Sequence, residues 1–352
     1  MKKIVSAILV ILMIASLSGC LGKSTNQAAS VGTGYPGVEF VEFYPINMKV
    51  PKNSDVVLYY SIQNNGYFDA ENVQVTLYNC GDIKIGTHSW LGGEEYICNQ
   101  PVLVTGENLR MPDREQGVSG EVADAEVSLR TDMANIPVGD SPHTFSARLE
   151  YNYMTTAIRD VVFTTFDNWK AKGGNIQTGI LQSSSKPAPI SVSINAPEQP
   201  IIITKNSEGD DQLQEFTVAV QIRNDGGGYL KGKNLSQVNL CYDPSLISVE
   251  DSRDFIDCYT EEDLCCEAIP KTDGQGCLCV SAEGDSKLNM VGLTNQWRDV
   301  SAIFSPLINN LDDDNVLNKA AVQVQDVSNF GATVEYIYMS DESTQLTLTR
   351  TS

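Results

Sequence analysis

The sequence predicts an all-β protein: two tandem antiparallel β-sandwiches behind a cleavable leader and a flexible tether. Three observations predict it. β-Branched and aromatic runs recur at short intervals and stop at Asn-Gly or Asp-Gly turns. Two stretches match two later ones in the same order, as an internal duplication leaves them. Helical signals are nearly absent. The best, Ser305–Ala320, has Pro306 at its start but carries Asp312-Asp313-Asp314-Asn315 in its middle, which reads equally as a loop.

The leader comes first. Lys2 and Lys3 precede an uninterrupted apolar and small-residue run from Ile4 to Leu17. As a helix that run would reach about 21 Å, short of a roughly 30 Å hydrocarbon core, so it suits a signal sequence rather than a span. Leu17-Ser18-Gly19-Cys20 resembles the lipobox of lipoprotein precursors. That resemblance implies a signal peptide over 1–19, diacylglyceryl transfer to the Cys20 thiol, and cleavage before it. Residues 20–37 are rich in Gly, Ser, Thr, Ala and Asn without apolar period, the composition of a tether. The expected membrane attachment is therefore the lipid at Cys20. Removing Lys2 and Lys3 takes the net charge from −21 to −23. Such a surface repels nucleic acid and anionic headgroups and favours cations or basic partners.

The body reads as a repeat. Ile62-Gln-Asn-Asn-Gly66 through Cys80 matches Ile222-Arg-Asn-Asp-Gly226 through Cys241, and Ala147–Met154 matches Ala332–Met339. The expected domains are 38–167 and 188–352. Between them 168–187 has linker composition at Gly173-Gly174, Ser183–Ser185 and Pro187, although Ile176–Leu181 also reads as an edge strand. The second copy carries about 25 extra residues, placed at the Cys-rich stretch 259–285. Val56–Ile62 and Phe216–Ile222 each run into an Asn/Asp-Gly turn, which tolerates the positive φ of tight hairpins. Val73–Tyr78 alternates with period two, as a half-buried strand does. Further strands are expected at Ala125–Leu129, Phe145–Tyr153, Val161–Phe166, Ile190–Ile194, Ile201–Thr204, Ala320–Gln325, Thr333–Met339 and Gln345–Thr349. Short strands punctuated by turns point to sandwiches.

Asn64-Asn65-Gly66 followed by Ala70-Glu71-Asn72-Val73-Gln74-Val75-Thr76-Leu77 resembles the immunoglobulin-like CARDB and S-layer-associated domains of surface proteins. The resemblance covers about 100 residues of the first copy and is weaker in the second. It implies an Ig-like sandwich used for display, adhesion or envelope scaffolding, and it assigns no ligand.

Candidate chemistry is sparse. The two histidines, His88 in Thr87-His88-Ser89-Trp90 and His143 after Pro142, read as surface or turn residues without a nucleophile elbow or zinc helix beside them. Gly226-Gly227-Gly228 sits in a hairpin turn, not between a strand and a helix, which disfavours a phosphate cradle. Cys258, Cys265, Cys266, Cys277 and Cys279 lack paired CxxC knuckles, and export favours disulfides over metal. Asp312–Asn315 lacks the glycine and terminal glutamate of a calcium loop. Asn234-Leu235-Ser236 is a glycosylation sequon compatible with an exposed loop. No cofactor, metal or catalytic residue is expected.

With Cys20 lipidated, eight cysteines remain. Cys80 and Cys98 are 18 apart and Cys241 and Cys258 are 17 apart, which suggests one ancestral bridge kept in both copies. Cys265 and Cys266 would then cross-pair with Cys277 and Cys279, in either of two ways. The function expected is non-enzymatic: a lipid-anchored, extracytoplasmic surface protein for adhesion, envelope scaffolding or ligand capture. Its partner would be an envelope protein or glycan, not nucleic acid. The alternatives are a transporter's substrate-binding lipoprotein, which requires two α/β lobes, and a secreted hydrolase.

Overall fold

Alternation of apolar and polar side chains decides the layers. Val56, Leu58, Tyr60 and Ile62 are all fully buried while most residues between them are half-exposed, so one strand face enters the core. The same pattern gives Val73, Val75 and Leu77 in the next strand. In the second half it gives Val218, Val220 and Ile222, then Val300, Ala302 and Phe304.

The computed structural model describes residues 37–104, 108–132, 135–174, 183–205, 211–212, 215–257, 276–281, 288, 297–306 and 325–351. The expected leader, Cys20, the tether to residue 36, Cys258, Cys265, Cys266, segment 312–315 and strand 320–324 lie outside the described residues, as does most of 259–285. Strands β1 (Val38–Pro45), β2 (Lys49–Pro51), β3 (Asp55–Asn64) and β4 (Ala70–Tyr78) come first. Short strands β5 (Ile85–His88), β6 (Glu95–Ile97), β7 (Pro101–Leu103) and β8 (Asn108–Leu109) follow, then β9 (Val122–Arg130) and the long β10 (Gly139–Thr165). Helix α1 (Phe166–Ala171) is capped by the Thr165 hydroxyl, which accepts from the Asn168 amide. The second half holds β11 (Ser184–Ser185), β12 (Ile190–Asn195), β13 (Ile201–Lys205), β14 (Asp211–Gln212), β15 (Phe216–Asn224) and β16 (Tyr229–Leu230). It continues with β17 (Gln237–Tyr242), β18 (Ile247–Asp251), β19 (Ile256–Asp257), β20 (Gly276–Ser281), β21 (Arg298–Pro306) and the long β22 (Gln325–Arg350).

Among the described residues the chain is all-β and mainly antiparallel, in three sheets. One is β1-β3-β9-β5-β6 and another β12-β15-β21-β18. The third, of thirteen described strands, runs β14-β13-β10-β22-β17-β20-β19, with β2, β4, β7, β8, β11 and β16 attached. The first two sheets each belong to one half of the chain. The large sheet belongs to both.

Its spine is the β10–β22 pair, which runs without a break from Gly139 opposite Arg350 to Thr164 opposite Gln325. By sequence pattern Phe145–Tyr153 and Val161–Phe166 are two strands, as are Thr333–Met339 and Gln345–Thr349. The structure fuses each couple into one strand. The hydrophilic stretch Ser340-Asp341-Glu342-Ser343-Thr344 between the two expected strands stays extended in the unbroken ladder with β10, where Asp341 stands opposite Arg148 and forms an ion pair with it. The amino-terminal part of β10 pairs with β4, and its carboxy-terminal part pairs with β13 in parallel. Conversely β22 pairs with β17 early and with β2 at its end. The stretch 168–187 thus divides the chain in order but not in layers: α1 opens it, and β11 pairs back onto β10.

The two matched segments face each other at the centre of the spine. Asn152 faces Ile337, its own counterpart in the duplication; Tyr151 faces Tyr338, and Tyr153 faces Tyr336. The two copies therefore meet across a local twofold axis at the Asn152–Ile337 pair. Both smaller sheets cover the same face of the large one, since the buried residues of β10 (Phe145, Ala147, Leu149, Tyr151, Tyr153, Thr155 and Ala157) alternate along one side. Phe163 meets Phe216 at 5.6 Å between centroids and Phe330 meets Phe304 at 5.2 Å, which closes the second interface.

Candidate functional site

Two kinds of position stand out: polar groups locked into the core, and the open face of the large sheet.

The core groups repeat with the duplication. The Asn64 amide donates to the Phe68 carbonyl, and its oxygen accepts from the Gly66 amide at 2.9 Å. The Tyr153 hydroxyl then accepts from the amides of Tyr67 and Phe68, at 3.0 and 3.2 Å. In the second copy Asn224 donates to the Gly228 carbonyl, and Tyr338 accepts from the Gly228 amide at 2.8 Å. Glycine is required at both turns for space: a Cβ on Gly66 would overlap the Tyr153 hydroxyl, and one on Gly226 the Tyr338 hydroxyl. The Asn-x-Gly motifs are therefore anchor points for buried tyrosines, not ligand loops. Gly226–Gly228 holds Tyr338.

His88 is 1 % exposed, not a surface residue. Its Nδ1 accepts from the Trp90 amide, so Nε2 carries the proton and donates to the Tyr60 hydroxyl at 2.6 Å. Tyr60, Trp90 and Tyr96 pack around the ring, and this burial lowers its pKa from 6.5 to about 4. It is a neutral core histidine. His143 lies in β10 rather than a turn, half-buried against Phe145, and burial lowers its pKa too. Asn234 of the sequon is half-buried with its side-chain oxygen enclosed, not on an open loop.

The cysteines form staples. Cys80 is bonded to Cys98, joining the end of β4 in the large sheet to the end of β6 in its neighbour. Cys241 is bonded to Cys277, directly opposite it on β20, and not to Cys258. That also removes Cys277 from both cross-pairings expected with Cys265 and Cys266. Cys279 is disulfide-bonded as well. Register explains the error. Ala147 faces Leu77 and its counterpart Ala332 faces Leu240, so Cys241 corresponds to Tyr78, not to Cys80. Counting from the turn passes through loops of unequal length and slips the match by two. Among the described residues no group of three His, Cys, Asp or Glu side chains is arranged to hold a metal ion.

On the other face of the large sheet, β7, β4, β10, β22 and β16 set mostly polar side chains in rows. Pro101, Thr76, Arg148 and Asp341 stand opposite one another across four strands. The adjacent row is Leu103, Gln74, Glu150, Met339 and Tyr229. From these rows Gln74, Thr76, Pro101, Arg148, Glu150 and Met339, together with Tyr78, Asn99 and Lys231, line an open groove of about 480 Å³. Arg148 donates to both oxygens of Asp341, from Nε at 2.9 Å and Nη2 at 3.2 Å. The Tyr229 hydroxyl donates to Asp341 at 2.9 Å, and the Lys231 ammonium reaches Glu150 at 2.6 Å. The Arg148 guanidinium lies 5.2 Å from the Tyr78 ring centre and 5.5 Å from that of Tyr229.

The charges hold each other. The hydrogen bond to Asp341 raises the Arg148 pKa against its partial burial. Burial works against the charge on Asp341, but the bonds from Arg148 and Tyr229 outweigh it and lower its pKa. Burial, then the bond to Asp341, pushes Tyr229 up to about 12. At neutral pH the groove holds matched ion pairs between tyrosine rings. Sequence reasoning missed these residues. Arg148 and Glu150 alternate with buried Ala147, Leu149 and Tyr151, which marks an exposed strand face, but Asp341 lies 193 positions away and no local signal joins them.

No family model matches the chain, and no curated protein matches it. Among solved structures, it is similar to the CupB6 tip adhesin from Pseudomonas aeruginosa at 9% identity and a TM-score of 0.18, over 90% of this chain and 99% of that one.

Proposed function

We propose that the chain is a lipid-anchored extracytoplasmic protein that presents the open face of its large sheet for adhesion or ligand capture, without catalysis. The observation that carries this reading is the groove: a framed, charge-matched, tyrosine-flanked surface on a rigid sheet, with no nucleophile–base pair directed into it among the described residues. The disulfides support an oxidising compartment. The Leu17–Cys20 lipobox supports a lipid anchor. A transporter's substrate-binding protein of two α/β lobes is disfavoured, because the one α-helix described is six residues long.

Fractionation of a Cys20→Ser variant tests the anchor. The variant leaves the detergent phase or accumulates as an uncleaved precursor; unchanged mass and partitioning would overturn the reading. Pull-down from envelope extract with residues 38–352 tests capture. A saturable envelope partner that an Arg148→Ala, Lys231→Ala variant loses is the expected result, and undiminished capture by that variant would remove the groove from the function.

A further inference from the structure

We infer that the groove on the open face of the large sheet binds a neutral oligosaccharide. The inference rests on the capture reading above and names its ligand class. Four arguments lead to it.

The first is charge. Both cations of the groove already have anions, Arg148 with Asp341 and Lys231 with Glu150. A charged ligand must break one of these pairs or lie unmatched beside it. A hydroxyl does neither: it donates to a carboxylate oxygen and accepts from an N–H of the cation next to it, so the pair survives. The second is the rest of the polar lining. Gln74, Thr76 and Asn99 each both donate and accept, which suits a ligand built of hydroxyls. The third is the apolar lining. The Tyr78 ring, Pro101 and Met339 supply flat or adaptable apolar contacts for the C–H faces of sugar rings, with Tyr229 beside them. The fourth is the long-range field. A chain of net charge −21 repels sulfated and uronic-acid glycans, which narrows the class to neutral ones. The volume of about 480 Å³ lies within the range of small-ligand sites.

The test is calorimetric titration of the full-length protein in detergent micelles with maltotriose, mannotriose and triacetylchitotriose, and with trigalacturonate as the acidic comparison. At least one neutral trisaccharide binds saturably and trigalacturonate does not. Tyr78→Ala and Gln74→Ala each weaken that binding at least about tenfold while circular-dichroism melting stays that of the wild type. Gln74 is half-buried on the polar face of β4, outside the core, so its variant keeps the test open if Tyr78→Ala melts early. Failure of all three neutral sugars, tighter binding of trigalacturonate, or binding undiminished in both variants overturns the inference. The two readings fail separately. An envelope protein captured through the groove without sugar binding removes the oligosaccharide and leaves the surface function. Unchanged partitioning of Cys20→Ser removes the anchor whatever the titration gives.

Discussion

Replacing Tyr153 by phenylalanine deletes one oxygen and leaves two backbone donors without a partner. Tyr153 is 4 % exposed, and its hydroxyl accepts from the Tyr67 and Phe68 amides. An unsatisfied buried donor costs about 1–3 kcal/mol, but both amides are only partly enclosed, so the low end applies to each and the sum is about 2–3 kcal/mol. Tyr338→Phe orphans one donor, the Gly228 amide, and withdraws a hydrogen from the Asn224 oxygen 3.3 Å away. A carbonyl-type acceptor tolerates such a loss better than an amide N–H, so about 1–2 kcal/mol is expected. Tyr59→Phe is the reference: its hydroxyl donates to Asp124 at an exposed site, and the change stays within about 0.5 kcal/mol. Urea unfolding at pH 7 compares the three at equal slope. The order of loss is Tyr153, Tyr338, Tyr59. A Tyr153→Phe midpoint no lower than that of Tyr59→Phe would refute the claim that buried hydroxyls anchor the turns.

Gly226→Ala forces a methyl against the Tyr338 hydroxyl and destabilises by about 1–3 kcal/mol. In a Tyr338→Phe background the loss is smaller, and a double-mutant cycle measures the difference. His88 responds to pH: its folded pKa of about 4 lies below its unfolded 6.5, so the stability it provides is complete above pH 6.5 and drains as pH falls toward 4. That contribution reaches about 3 kcal/mol. Unfolding midpoints of wild type and His88→Gln over pH 7 to 4 check it, the variant showing the shallower decline. Removing a bridge loosens the unfolded chain by loop length. The Cys80–Cys98 loop, 18 positions, gives about 3 kcal/mol and the Cys241–Cys277 loop, 36 positions, nearly 4. Thermal melts of the two Cys→Ser pairs rank them in that order.

Strands whose two faces meet different surroundings were legible residue by residue. Val73–Tyr78 and Val56–Ile62 alternate because one side meets the core and the other does not. The match of Ala147–Met154 with Ala332–Met339 was legible too, yet not that these two segments pair with each other across a local axis. Pairing between strands far apart leaves no local trace, which is why Thr333–Met339 and Gln345–Thr349 read as two strands rather than one and Cys241 finds a partner outside the simple interval. His88 misled because a polar residue among Thr, Ser and Trp looks solvated, while Tyr60, 28 positions earlier, supplies its buried bond. The groove was the least visible, since its side chains come from four strands and become a site only when β22 lies beside β10.

That shared pair also dictates a timetable. A chain emerging amino end first, from a ribosome or a translocation pore, has made β10 long before β22 exists. Until then one edge of β10 is an unpaired run of backbone amides and carbonyls, the kind of edge that recruits other chains. The first half therefore waits for residues 325–350 before its sheet can close, and the closing contacts span roughly 160 to 210 positions of sequence. Loop-closure entropy makes such contacts slow to form. Closure of the first half's sheet thus waits on β22, and the interval before β22 arrives is when a holding chaperone would matter most.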